Sequence, residues 1–258
     1  MDISIAGNIQ ATMPWFKFPR QNRQGKIRLF CFPYAGAGSR VFSSWPDTLP
    51  REIEVCPVNL PGREARLREP PITDMDRLVR SVVRALLPYV DKPFALFGHS
   101  MGALVGFETA RHLRREYGLS PAHLFVSGHV APIYLEMVPR RHTLPEPQFS
   151  DELRYLNGTP REVLNNPELM ELILPILRAD FELCETYKYE SEPPLDCPLS
   201  VYGGLQDEFA ECEHLEGWRH ETTGPFAIHL LRGDHFFLHT AESLLLGLLG
   251  QELRKHLR

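Results

Sequence analysis

Six short apolar runs, Ile27 to Phe32, Ile53 to Val58, Phe94 to Phe97, Leu124 to Ser127, Leu199 to Tyr202 and Phe226 to Leu231, alternate along the 258-residue chain with stretches of helical periodicity. Runs this short and apolar on both faces match strands buried in a parallel sheet, and parallel neighbours need crossovers, which the helical stretches supply. The clearest helix is Met75 to Val90, where Met75, Leu78, Val79, Val82, Val83, Leu86, Leu87 and Val90 recur at helical spacing behind the candidate caps Thr73 and Asp74. Another follows Ser100, and a third closes the chain with Leu244, Leu245, Leu248, Leu249 and Leu253. The expected fold is α/β, a mostly parallel central sheet flanked by helices with right-handed crossovers.

Two segments break the rhythm. Residues 1–26, with Pro14, Pro19 and the polar run from Arg20 to Lys26, are expected to form an arm ahead of a single domain at 27–258. From about Ile133 to Tyr189 the chain has helical periodicity and prolines but no convincing strand, too long for a plain connection. Asn166 can cap and Pro167 suits a first helical turn, with Leu169, Ile173, Ile176, Leu177 and Phe181 following at helical spacing and Pro175 expected to kink the helix. The segment reads as an inserted helical lid, with ordinary core helices of the sheet as the alternative.

Charge and apolar content exclude several classes. With 28 Lys+Arg against 33 Asp+Glu, the formal charge of −5 supplies no basic field for nucleic acid. The longest strongly apolar stretch, near Leu244 to Leu249, falls far short of the roughly 20 residues of a membrane span. No secretory signal pattern is visible, so the expected location is cytoplasmic. Cys31, Cys56, Cys184, Cys197 and Cys212 contain no C-x-x-C pair, so neither a disulfide framework nor a zinc knuckle is expected.

The sharpest local signal is Gly98-His99-Ser100-Met101-Gly102, between the apolar run ending at Phe97 and the helical stretch beginning near Ala103. A G-x-S-x-G pentapeptide in a strand-turn-helix setting exposes its serine at the tip of a tight turn that side chains at the glycine positions would obstruct. A serine hydroxyl needs a base, and the base needs an orienting carboxylate, in the chain order Ser, Asp, His. His235, in Gly233-Asp234-His235-Phe236-Phe237, follows the last strand, and Asp207 follows Val201-Tyr202-Gly203-Gly204. Asp234, Glu208 and Asp196 are rival acids. His99 reads as a packing residue. His235-x-x-x-His239 lacks the Glu of H-E-x-x-H, so no metal is expected.

Acyl transfer also needs donors for the oxyanion. Met101 N–H supplies one, and the loop Phe32-Pro33-Tyr34-Ala35-Gly36-Ala37-Gly38 supplies the second through Ala35 or Tyr34. That loop matches neither the P-loop nor the dinucleotide fingerprint.

These segments, together with Leu60-Pro61-Gly62-Arg63-Glu64, Gly158-Thr159-Pro160 and Arg178-Ala179-Asp180-Phe181, make the chain resemble a type II thioesterase, the stand-alone editing hydrolases of polyketide and non-ribosomal peptide synthases; it is also similar to the thioesterase associated with animal fatty-acid synthase. The resemblance spans nearly everything from residue 27 and implies an α/β-hydrolase fold. It implies as substrate an acyl thioester on the phosphopantetheine arm of an acyl or peptidyl carrier protein, with no cofactor of the enzyme's own and a monomeric enzyme. The implied lid would place Leu169, Met170, Ile173 and Leu177 against the acyl chamber. Arg63, Arg66 and Arg68, and Arg111, Arg114 and Arg115, read as solvated surface runs, with docking of an acidic carrier as the alternative. The alternatives are a carboxylesterase or acyltransferase of the same fold, or a non-catalytic carrier-binding module.

Overall fold

A computed structural model describes residues 15–17, 25–137 and 139–257. Most of the expected arm therefore lies outside the described residues. Within it, Phe16 pairs with Val58 in an isolated antiparallel bridge, and Asn59 N–H donates to Trp15 O at 2.7 Å.

The strands are β1 (Ile27–Phe32), β2 (Ile53–Pro57), β3 (Phe94–His99), β4 (His123–Ser127), β5 (Leu199–Gly204) and β6 (Phe226–Leu231). The helices are α1 (Trp45–Thr48), α2 (Met75–Leu86), α3 (Met101–Tyr117), α4 (Glu146–Leu156), α5 (Arg161–Leu164), α6 (Pro167–Glu185), α7 (Cys212–Leu215), α8 (Phe237–Thr240) and α9 (Glu242–Arg254). The sheet order is β2-β1-β3-β4-β5-β6, and every neighbouring pair is parallel. The chain steps from β1 to one side and then crosses back past it to β3, so the strand order reverses between β1 and β3. In open α/β sheets the crevice at the carboxyl ends of such a pair is where ligands bind.

Alternate residues of the strands feed two cores. Phe30, Phe32, Leu96 and Val126 face α2 and α3, with Leu78, Val82, Leu104 and Phe107 opposite them. Leu29, Cys31, Ala95, Phe97 and Phe125 face the other way, against Trp45, Leu245 and Leu249. Burying both faces explains why these runs lack polar alternation. Edge strand β6 is the exception, intermediate or exposed along most of its length.

Helix α2 begins where its cap dictates, with Asp74 accepting from Arg77 N–H at 2.7 Å. It ends at Leu86 rather than Val90, giving way to a 3-10 turn over Leu87–Tyr89, because Pro88 has no N–H to continue the ladder. Cys31, Cys56 and Cys197 are buried, and burial raises their thiol pKa values, so these side chains act as small apolar groups.

Between β4 and β5, residues 133–189 contain no strand among those described. Asn166 caps α6, accepting from Glu168 N–H at 3.0 Å and Leu169 N–H at 3.2 Å. Pro167 occupies the first turn, and α6 runs on past Pro175. Phe149, Leu153, Leu164, Met170 and Leu177 form a separate small core among α4, α5 and α6. The return leg is strapped to α3, with Tyr187 O–H donating to Glu108 and Arg111 donating to Glu190 O.

Candidate active site

Ser100 sits between β3 and α3 with φ +52° and ψ −122°, a region that a side chain rarely occupies and that costs on the order of 1–3 kcal/mol. Its neighbours leave no other path. Ser100 N–H donates to Ser127 O at 2.8 Å, and Ala103 N–H donates to Ser100 O at 2.8 Å. A Cβ on Gly98 would lie 1.9 Å from Gly102 O, and one on Gly102 would lie 2.1 Å from Phe32 O. The backbone thus crosses itself where only hydrogen fits, and the hydroxyl is presented at the N-terminus of α3.

Asp207 and His235 come from the loops after β5 and β6, which are tied together. Leu205 N–H donates to Leu231 O at 2.8 Å, Gln206 N–H to Gly233 O at 3.0 Å, and Gly233 N–H to Gln206 Oε1 at 2.8 Å. This brings His235 Nδ1 to 2.9 Å from Asp207 Oδ2. The other oxygen, Oδ1, accepts from Phe209 N–H at 2.9 Å and Ala210 N–H at 3.1 Å. Burial works against the charged carboxylate, but the hydrogen bond and charge of His235, with those two amides, outweigh it and hold the Asp207 pKa below the usual value. An ionised Asp207 keeps the proton on Nδ1 and leaves Nε2 free to accept one. Phe209 and Phe236 stand edge-on to the imidazole, with ring centroids 5.6 Å and 5.2 Å away.

The rival acids are engaged elsewhere. Asp234 accepts from Phe236 N–H, Glu208 from Tyr155 O–H and Asp196 from Ser120 O–H. His99 is fully buried, with Nδ1 2.9 Å from Ser127 Oγ. Burial, followed by the neighbouring His235, holds its pKa well below the usual histidine value. His239 Nε2 lies 3.0 Å from Tyr34 O–H. Among the described residues no group of three or more His, Cys, Asp or Glu side chains is placed to hold a metal ion.

Ser100, His235, Met101, Ala35 and Tyr34 line one cavity of about 150 Å³. Ser100 and His235 share its wall without a hydrogen bond between them, a spacing that commonly tightens when substrate binds. The N–H groups of Met101 and Ala35 have no protein acceptor among the described residues.

Segment 133–189 roofs this cavity, but with a different set of residues from the one expected. Leu177 lines it, together with Asp180, Phe181 and Cys184, at the helical spacing of one face of α6. Met170 and Ile173 share that stripe but lie up to about 10 Å further along the axis, where they pack into the small core with Phe149 and Leu153. Leu169 is turned off the stripe and is 40% exposed. The arginine clusters also differ from expectation. Arg63 and Arg66 are buried, Arg111 is buried, and Arg114 and Arg115 are bound to Glu192, at 2.8 Å and 2.6 Å. Arg68 and Arg115 are the exposed members of the two clusters. Sequence spacing alone does not reveal the carboxylates that these arginines meet.

The thioesterase domain profile matches residues 27–249. The chain is 45% identical over 246 residues to linear gramicidin dehydrogenase LgrE of Brevibacillus parabrevis, covering 94% of each. It is 43% identical over 240 residues to gramicidin S biosynthesis protein GrsT of Aneurinibacillus migulanus, covering 93% of this chain and 94% of that protein. The solved structure of type II thioesterase BorB from the borrelidin biosynthetic cluster superposes with a TM-score of 0.86 at 32% identity, covering 96% of this chain and all of that one. A hydroxyl on a strained turn, a histidine–carboxylate pair beside it and a match over nearly the whole domain lead to one assignment: the chain belongs to the thioesterase family and is a hydrolase acting on thioesters.

Proposed function

We propose that this protein removes acyl groups from the phosphopantetheine arm of carrier protein domains in non-ribosomal peptide or polyketide synthesis, clearing stalled or aberrant chains through an acyl-enzyme on Ser100. The observation that carries this reading is the 2.9 Å bond from His235 Nδ1 to Asp207 Oδ2 at the wall of a cavity that Ser100, Met101 and Ala35 also line. The relatives named for gramicidin S and borrelidin biosynthesis support the carrier-bound substrate.

In the proposed cycle His235 Nε2 takes the proton from Ser100 Oγ as the oxygen attacks the thioester carbonyl. The oxyanion forms against Met101 and Ala35 N–H, and the Asp207 carboxylate stabilises the imidazolium. Collapse breaks the carbon–sulfur bond, and the imidazolium proton passes to the departing sulfur, which leaves as the thiol and returns His235 to its neutral form. Since thiol pKa values lie near ~8.5, sulfur needs less help from the imidazolium proton than an amine would. Water then enters, His235 removes its proton, attack on the acyl carbonyl gives a carboxylic acid, and Ser100 regains its proton. Apolar walls from Leu153, Leu156, Leu177 and Phe181 suit the acyl chain.

Hydride transfer, which the printed name of LgrE suggests for that protein, finds no support in the loop after β1. A dinucleotide pyrophosphate rests on free N–H groups there. Here Gly36 N–H is taken by Asp180 at 2.7 Å and Arg40 N–H by Glu64 at 3.0 Å, so neither is free for a phosphate.

The test is a panel of acyl-loaded carrier proteins, with deacylation followed by intact mass beside matched oxygen esters and added alcohol or amine acceptors. The reading expects hydrolysis of carrier thioesters ahead of the other two reactions. Preference for oxygen esters, acyl transfer to the acceptor, or binding without hydrolysis would replace it with the corresponding alternative.

A further inference from the structure

Arg63 and Asp180, 117 positions apart, form a buried ion pair with side-chain exposures of 6% and 3%. Arg63 Nη2 donates to Asp180 Oδ1 at 2.7 Å and Nη1 donates to Oδ2 at 2.8 Å. Arg63 Nη1 also donates to Ala37 O at 3.0 Å, and Gly36 N–H donates to Asp180 Oδ2 at 2.7 Å. The carboxylate comes from α6, the guanidinium from the turn after β2, and both close on the loop after β1. Removing either member would leave a charge buried without its partner.

That loop is a tight turn. Ala37 N–H donates to Tyr34 O at 3.0 Å, and Gly36 has φ +77°, which together describe a type II turn with Ala35 and Gly36 at its centre. Types I and II differ by a flip of the central peptide, here the Ala35–Gly36 unit. The N–H of that unit is the one Asp180 accepts. A Cβ on Gly36 would lie 2.4 Å from Leu177 Cδ2, so the turn is also pressed against the stretch of α6 that walls the cavity.

We propose that Asp180 is a positioning residue for the oxyanion site: by accepting from Gly36 N–H it anchors the turn that carries Ala35 N–H, and through α6 it couples the placement of that turn to the wall of the acyl cavity. The inference rests on the reading of Ala35 as an oxyanion donor. Arg63 holds the carboxylate in place and caps the far side of the turn at Ala37 O. Asp180→Asn is a sharp probe because both carboxylate oxygens face N–H donors, and an amide can accept on one side only.

The test compares Asp180→Asn and Arg63→Lys with the unsubstituted protein, each normalised by stoichiometric phosphonate labelling of Ser100. The readouts are kcat and KM on an acyl thioester and Ki for an alkyl boronic acid, whose tetrahedral adduct places an oxygen anion in the same site. Since loss of one oxyanion donor costs roughly 10²–10³-fold in kcat, its misplacement in Asp180→Asn should cost about 10–100-fold, with KM within about threefold and Ki raised by a factor comparable to the kcat loss. Arg63→Lys keeps the Asp180–Gly36 bond on a looser anchor and should lose about fivefold in kcat with KM unchanged, which decides the matter if Asp180→Asn does not fold. A kcat per labelled site equal to that of the unsubstituted protein, or a loss confined to KM, would overturn the proposal. Absence of hydrolysis and of boronate inhibition in the unsubstituted protein would instead overturn the reading of Ser100 and Ala35 beneath it.

Discussion

His235 Nδ1 and Asp207 Oδ2 lie 2.9 Å apart although they are carried by loops after two different strands, and the Asp207 side chain is fully shielded from solvent. Asp234, adjacent to His235 in sequence, instead accepts from Phe236 N–H at 2.9 Å. Asp207→Asn should therefore lower kcat by on the order of 10⁴-fold, because an amide no longer holds the proton on Nδ1. Asp234→Asn, which keeps an acceptor for Phe236, should stay within about tenfold of the parent. Steady-state hydrolysis by the two variants checks this, and the reverse ranking would reassign the acid.

The turn at Ser100 sets a second expectation. Gly98→Ala and Gly102→Ala both drive a methyl group into backbone, at 1.9 Å and 2.1 Å from carbonyl oxygens. Neither clash can be relieved by rotating a side chain. Each variant should lose at least about 3 kcal/mol of stability or fail to fold, read from denaturant midpoints. Parent-like midpoints would show that the turn is not built this way.

Two residues of the 133–189 segment separate cavity wall from local core. Phe181 lines the cavity, whereas Met170 packs only into the small core beside it. Phe181→Ala should shift acyl-chain preference toward longer or bulkier chains by several-fold, about what one or two methylenes are worth in an apolar pocket. Met170→Ala should cost about 2–5 kcal/mol in stability and leave the chain-length profile as it is. Profiles across an acyl series, with melting temperatures, tell the two apart.

These contrasts also show what the chain discloses before it folds. The strands from β1 to β5 are legible because both faces are covered, so burial is written into consecutive residues such as Phe30 and Cys31. Ser100, Asp207 and His235 are legible because the fold places each just past a strand's carboxyl end. Arg63 and Asp180 are not, since nothing local in either segment says that a guanidinium 117 positions away will be buried against the carboxylate. For the same reason Arg111, Arg114 and Arg115 look like a solvated surface run until Glu192 is seen among them. The face of α6 that meets the cavity is hidden too, because Met170 and Leu177 share one periodic stripe and only the neighbouring helices divide it.

Acid should destabilise the protein through His123, which is buried with its ring stacked 4.1 Å from that of Phe125 and Nε2 2.9 Å from Ser200 Oγ. Burial, then the nearby His256 and Lys255, lowers its pKa from 6.5 to about 3. The folded pKa lies below the unfolded one, so as pH falls the unfolded chain binds the proton first. Stability from this site is complete above about pH 6.5 and declines between there and about 3, amounting to about 3 kcal/mol lost at pH 4.5. Melts at pH 7 and 4.5 should show a smaller difference for His123→Gln than for the parent. Equal differences would remove His123 from the account.

The most direct test of the account is to mix the protein with an acyl-loaded carrier, quench within a turnover and measure intact mass with peptide mapping. The account predicts one acyl adduct per chain, on the peptide containing Ser100, absent from Ser100→Ala, whose turnover should fall on the order of 10⁴–10⁶-fold. Undiminished hydrolysis by Ser100→Ala, or an adduct on any other residue, would contradict it.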